Sequence, residues 1–294
     1  MTADHAAPSL LLVGCGFLGE ATADFFHARG WRVTAWTGSI ASAARLAALK
    51  PYPVEPSDIS RPDLGRENPA SAAGGWEVVI QCVAGGRGGG AETYRRVYLD
   101  GARHLLAALR PARFIFVGST SVYAQTDGAW VDETSPAEPA RETGRVLRET
   151  ETHVLAHPGG TVARLAGLYG PRRSVLLKKF LAGEAVIEGD GSRWLNQIHR
   201  DDAAAALWHL AHSPVTAGIF NVADDTPLTQ LALYHGLSER LGRPLPPSAP
   251  PDFGRKRGWT SKRVCNAKLR ALAGGWAPRR PGFFDALDEL LSAS

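Results

Sequence analysis

Little in this sequence suits an extracellular or membrane setting. Its 294 residues hold three cysteines, at 15, 82 and 265. An odd number without metal-ligand spacing excludes a disulfide framework and predicts reduced thiols and no metal centre. No apolar run approaches the roughly 20 residues that span a bilayer, and the first eight residues lack the basic flank of a signal sequence. A soluble, cytoplasmic protein is the expectation. Although the formal net charge is +4, no block of five or six basic residues occurs, so nucleic acid is not the expected partner. The cluster Arg255-Lys256-Arg257, with Lys262 and Arg263 nearby, reads as a surface that attracts anionic small molecules. Internal repeats are absent, and a 44% hydrophobic content suits one large α/β unit.

What is present begins at Ser9. Leu10-Leu11-Leu12-Val13 runs straight into Gly14-Cys15-Gly16-Phe17-Leu18-Gly19 and then a helical segment to about Arg29. Strand, Gly-x-Gly-x-x-Gly turn and helix start come in the order a dinucleotide site requires. Gly14 permits the turn, Gly16 lets backbone approach a pyrophosphate, and Gly19 lets the helix lie close to the strand. The backbone N–H groups of Phe17 and Leu18 complete an anion-facing helix start.

Further strands are predicted at 31–36, 52–55, 78–82 and 114–117, with helices at 41–49, 94–109 and 142–156. The second strand ordinarily ends in an acid that holds the ribose of NAD. No acidic residue lies between Asp24 and Glu55. Thr37 and Ser39 stand there instead, with Arg45 in the next helix, which favours NADP and leaves NAD as the alternative. Asp58 is a candidate for the adenine amino group. Ala84-Gly85 opens a glycine-rich loop that continues to Gly90, either a close approach to the cofactor or a flexible connector. Ser119 and Tyr123 follow the fifth strand, at the end where open α/β sheets bind ligands.

With these stretches, the blocks Arg164 to Pro171, Asn196 to Asp202 and Phe220 to Ala223 give a chain that resembles the extended short-chain dehydrogenase/reductase, or NAD-dependent epimerase/dehydratase, superfamily. The resemblance implies a Rossmann-type doubly wound parallel sheet with a small C-terminal substrate lobe. The nucleotide domain would comprise residues 1–166 plus 201–223, and the intertwined lobe 167–200 and 224–294. It also implies Ser119 beside the reacting oxygen and Arg164, Tyr169, Asn196 and His199 on the substrate side. A homodimer through the helices 94–109 and 142–156 would follow the superfamily's habit.

One part of the pattern is missing. Family members carry Tyr-x-x-x-Lys on the helix after the fifth strand, the lysine lowering the phenol's pKa from about 10. Aligned on Glu151, that helix has Thr143 and Leu147 at the two positions. No tyrosine in the chain has a lysine four residues later. This resembles the atypical, YeeZ-like branch. Arg145 is the nearby cation for a ribose or phosphate, though a poor proton relay because it stays charged. Tyr123 is the substitute phenol. His199-Arg200-Asp201-Asp202 is read as a helix start capped by Asp201 or Asp202. Two functions fit: an NAD(P)-dependent oxidoreductase or epimerase-like enzyme acting on a nucleotide-linked sugar or similar anionic metabolite, or an inactive dinucleotide-binding redox sensor.

Overall fold

The structure is a computed structural model that describes residues 7–62, 64, 75–85, 89–215, 217–254 and 258–293. The middle of the glycine-rich loop (86–88) and the basic triplet 255–257 lie outside the described residues. Seven parallel strands form the central sheet: β1 (Ser9–Val13), β2 (Arg32–Thr37), β3 (Val54–Pro56), β4 (Val78–Gln81), β5 (Arg113–Ser119), β7 (Gly160–Leu165) and β12 (Gly218–Val222). Their spatial order is β12-β7-β5-β4-β1-β2-β3. β1, β4 and β7 are buried throughout, as a sheet covered on both faces demands.

Helices cover both faces. α1 (Phe17–His27) and α2 (Ile40–Ala47) follow the first two strands. α3 (Ala91–Tyr94) passes through a π-helical stretch, Arg95–Asp100, into α4 (Gly101–Leu109). The π stretch has a local cause. Gln81 on β4 inserts its amide and donates to the Val97 and Tyr98 carbonyls, each at 3.1 Å. α5 (Glu142–Leu155) packs beside this helix.

The smaller elements build the other side of the molecule. They include β6 (Trp130–Val131), β8 (Gly167–Tyr169), α6 (Val175–Leu181), β9 (Ile187–Glu188), β10 (Trp194–Leu195) and β11 (Gln197–His199). α7 (Arg200–His212), which packs on α1, precedes β12. Beyond it come β13 (Leu228–Thr229), α8 (Gln230–Leu241), β14 (Ser248–Ala249), β15 (Arg263–Val264), α9 (Ala267–Arg270) and α10 (Leu287–Ser292). A second apolar cluster, with Tyr169, Phe180, Leu233, Tyr234 and Phe283 among its members, lies apart from the sheet's core. The proline-rich run 244–251 contains β14, which pairs with β9. Among the described residues no helix is long and apolar enough to cross a membrane.

Candidate active site and dinucleotide turn

Strand order reverses between β1 and β4, and the loops leaving those strands flank the crevice in which such sheets bind ligands. The three glycines of the turn differ in what surrounds them. Gly14 has φ +98°, and a Cβ there would sit 2.6 Å from the Cys82 carbonyl oxygen. A Cβ on Gly19 would sit 2.1 Å from the Gly14 oxygen, so α1 can lie this close only on glycine. Gly16 has open space: a Cβ there meets nothing within 4 Å. It is also the N-cap of α1, with no side-chain cap. The first-turn N–H groups of Phe17, Leu18 and Gly19, which have no partner within the helix, therefore border an open cradle. These residues fit a pyrophosphate. The guanidiniums of Arg173 and Arg200 stand over the Phe17 ring at 4.9 and 5.2 Å.

The remaining cofactor candidates are placed as follows. Thr37 ends β2. Ser39 caps α2, accepting from Ser42 N at 3.2 Å. Glu55, opposite Trp36 in the β2–β3 register, accepts the Trp36 indole N–H at 3.2 Å. One oxygen of Asp58 accepts from Ser60 N and Oγ, and these bonds hold its carboxyl below the usual range. Ala84 is exposed, whereas Gly85 is buried and donates to the Tyr98 hydroxyl at 3.1 Å. Arg145 is exposed and folds back onto the Ala140 carbonyl at 2.8 Å. Cys15 and Cys82 are free thiols, pushed up by burial to about 11 and about 12.

A cavity of about 230 Å³ opens beyond the C-terminal end of β5. Thr143 and Leu147 both line it, on adjacent turns of α5, together with Tyr94 and Ser121. Its far wall is Phe253, Trp259 and Thr260. Ser119 Oγ accepts from Ser121 N at 3.2 Å, which leaves its proton free to donate.

Tyr123 does not face this cavity. It is fully buried and its hydroxyl donates to Asn221 Oδ1 at 2.9 Å, with burial raising its pKa. The four residues expected to touch substrate are likewise turned inward. Arg164, 1% exposed, donates Nε and Nη2 to the two oxygens of buried Glu151 at 2.9 and 2.7 Å. Tyr169 donates to the Gly282 carbonyl at 3.3 Å, its ring edge-on to His199. Asn196 grips β15, donating to the Lys262 carbonyl at 2.8 Å and accepting from Val264 N at 2.7 Å. His199 is fully enclosed and caps α7 itself, Nδ1 accepting from Asp201 N at 3.2 Å. That corrects the expected cap: Asp202 instead accepts the N–H groups of Arg279 and Arg280 at 2.9 and 3.1 Å. Burial, then the charge of Arg280, lowers the His199 pKa.

Lys262 is a further correction. Grouped by sequence with a basic surface, it is 4% exposed. Its ammonium donates to Thr260 Oγ1 at 2.9 Å.

A doubly wound parallel sheet with an open glycine turn at its switch point, and a cavity at the end of β5, defines a nucleotide-binding α/β protein. Residues 10–223 match the model of the NAD dependent epimerase/dehydratase family, and the chain belongs to that family. It is 33% identical over 268 residues to protein YeeZ of Escherichia coli K12, covering 87% of this chain and 92% of that one. A solved structure from Methylobacillus flagellatus, assigned as a NAD-dependent epimerase/dehydratase, aligns at TM-score 0.78 and 29% identity over 98% of this chain and 99% of that one. The fold is also that of MoeE5 in complex with UDP-glucose and NAD, at TM-score 0.77 and 18% identity, covering 97% of both chains.

Proposed function

We propose that the protein is an NAD(P)-dependent oxidoreductase of epimerase type, acting on a nucleotide-linked sugar or similar anionic metabolite. The observation that carries this reading is the open Gly16 cradle on the same sheet edge as the β5 cavity. In this reading the dinucleotide supplies or accepts hydride, and the chain's residues bind, orient and move protons. Ser119 aims its free proton at the reacting oxygen, and the backbone of Phe17 and Leu18 holds the pyrophosphate. NADP is the preferred form: Thr37 and Ser39 offer hydroxyls at the end of β2, and the nearest acid there, Glu55, is engaged by Trp36. MoeE5, crystallised with UDP-glucose, supports the substrate class. The protein assembles as a homodimer through the helical stretches 94–109 and 142–156.

Calorimetric titration with NADPH and NADH, beside a Gly16→Asp control, tests the cofactor reading. Binding lost in the control supports it; no binding by the unaltered protein overturns it. The rival reading, a dinucleotide-binding redox sensor, draws on the non-ionising side chains of Thr143 and Leu147 in the cavity wall. Ser119→Ala separates the two readings. Undiminished cellular function with cofactor binding intact favours the sensor.

A further inference from the structure

Burying a lysine normally requires a carboxylate, because an ammonium removed from water without a counter-charge is costly. Lys262 is 4% exposed, and among the described residues no acid pairs with it. Its hydrogen-bond partner there is the Thr260 hydroxyl. The backbone does not leave this placement to chance. Asn196 clamps the chain at the Lys262 carbonyl and, two residues on, at Val264 N. Ser261 is tied down as well, its N–H to the Gln125 carbonyl at 3.0 Å and its hydroxyl accepting from Trp194 N at 3.2 Å.

The hydroxyl orientation follows from valence. Thr260 Oγ1 accepts a hydrogen bond from Lys262, so its own proton is directed elsewhere. Thr260 forms part of the cavity wall, across from Ser121, Thr143 and Leu147. A cation is thus placed one hydroxyl behind the space from which the usual tyrosine and lysine are absent.

Resting on the oxidoreductase reading above, we propose that Thr260 and Lys262 form a proton relay into this cavity, standing in for the tyrosine and lysine that Thr143 and Leu147 replace. In the reducing direction the substrate carbonyl carbon receives hydride from the reduced dinucleotide. Its oxygen takes the Thr260 proton as that hydroxyl takes one from the Lys262 ammonium. The neutral amine is then reprotonated from solvent, and oxidation of an alcohol runs the same transfers backwards. Lysine suits the role because its charge yields to its surroundings, unlike that of arginine. Burial, aided by the positive charge of Arg193, brings the Lys262 pKa down to about 8, close to working pH, where relays are most effective. Arg193, itself beside Glu188 at 3.4 Å, is the charged group felt at Lys262. The lysine hands its proton on through Thr260, so it is a positioning and supply residue, and Thr260 is the group that touches substrate.

The test uses the full chain and 9,10-phenanthrenequinone, a planar dicarbonyl suited to a wall of Tyr94, Leu147, Phe253 and Trp259, with NADPH as reductant and the pH varied. Expected are a kcat that falls as pH rises through about 8, a loss of roughly 100-fold in Lys262→Met, and a comparable loss without that pH limb in Lys262→Arg, whose charge does not yield its proton. Thr260→Ser should keep the relay and Thr260→Val should lose it, with calorimetric NADPH binding unchanged in every variant and KM unchanged in the Lys262 variants. Absence of turnover despite bound NADPH, or a profile that Lys262→Met leaves intact, overturns the relay while the cofactor reading stands. Failure of the unaltered protein to bind either dinucleotide is the separate failure of that reading. Should Lys262→Met not fold, lysine side-chain NMR titration of the unaltered protein decides instead. One lysine titrating near 8 and moved by Thr260→Val supports the relay; none below 10 overturns it.

Discussion

Glu151 on α5 and Arg164 on β7 meet in a two-point pair enclosed in the interior, Nε to Oε1 and Nη2 to Oε2. Arg148 reaches the same Glu151 carboxylate from one helical turn away. The pair fastens α5, and with it Thr143 and Leu147, to the central sheet. Removing one partner strands a buried charge, which costs about 3–5 kcal/mol. Glu151→Gln should lower the unfolding free energy by that amount, read as a lower urea midpoint at an unchanged m-value, whereas Glu149→Gln, on the solvent side of the same helix, should change it by less than about 1 kcal/mol.

The glycine turn separates binding from folding. Gly16→Asp adds a carboxylate in open space, so its thermal midpoint should stay within a few degrees of the parent while dinucleotide binding is lost through repulsion of the pyrophosphate. Gly19→Ala drives a methyl to 2.1 Å from the Gly14 oxygen, and overpacking of this kind costs about 1–3 kcal/mol or more. It should lose stability and binding together. Calorimetry and thermal melts on the two proteins check the contrast.

The proposed NADP preference is tested at Ser39, which caps α2 two residues beyond β2. Aspartate caps a helix as well as serine does, so Ser39→Asp preserves the fold and places a negative charge where a 2′-phosphate would lie. NADPH affinity should fall at least about tenfold, a difference of about 1.4 kcal/mol, with NADH affinity unchanged or improved. Equal losses for both forms would count against a 2′-phosphate site here.

Asp224 gives stability a pH dependence. It is 3% exposed, and burial, reinforced by Asp225, Asp202 and Asp285, raises its pKa well above the ordinary value. The folded form therefore keeps a proton that the unfolded chain has released. This contribution is complete below the usual carboxylate range and is lost as pH rises toward the elevated value. Asp224→Asn should stabilise the protein at pH 8 relative to pH 5. Denaturation curves at those two values, compared with the parent's, measure the effect.

The architecture was legible because its signals are local. An apolar run entering three spaced glycines identifies β1 and α1 within a dozen residues, and the missing Tyr-x-x-x-Lys is likewise read along one helix. The side chains of the lobe were not legible. Arg164, Tyr169 and His199 have the polarity of ligand-binding groups, and only the three-dimensional arrangement reveals the Glu151 carboxylate, the Gly282 carbonyl and the α7 N-terminus that engage them. Lys262 was misplaced for the same reason. Beside Arg255-Lys256-Arg257 it reads as solvent-facing charge, while the groups that hold its stretch of backbone and its neighbour Ser261, Asn196 and Trp194, lie more than sixty residues away.

The pairing of β6 with β15 sets Trp130 beside Arg263, so the wall carrying Thr260 comes from a stretch more than 200 residues beyond the glycine turn. The glycine turn and its neighbours β2 and β4 are by then already made. A protein emerging N-terminus first thus has the residues of its glycine turn in hand long before those of the cavity wall. The order of synthesis becomes an order of competence, with the cavity wall supplied only after the turn at the sheet's switch point.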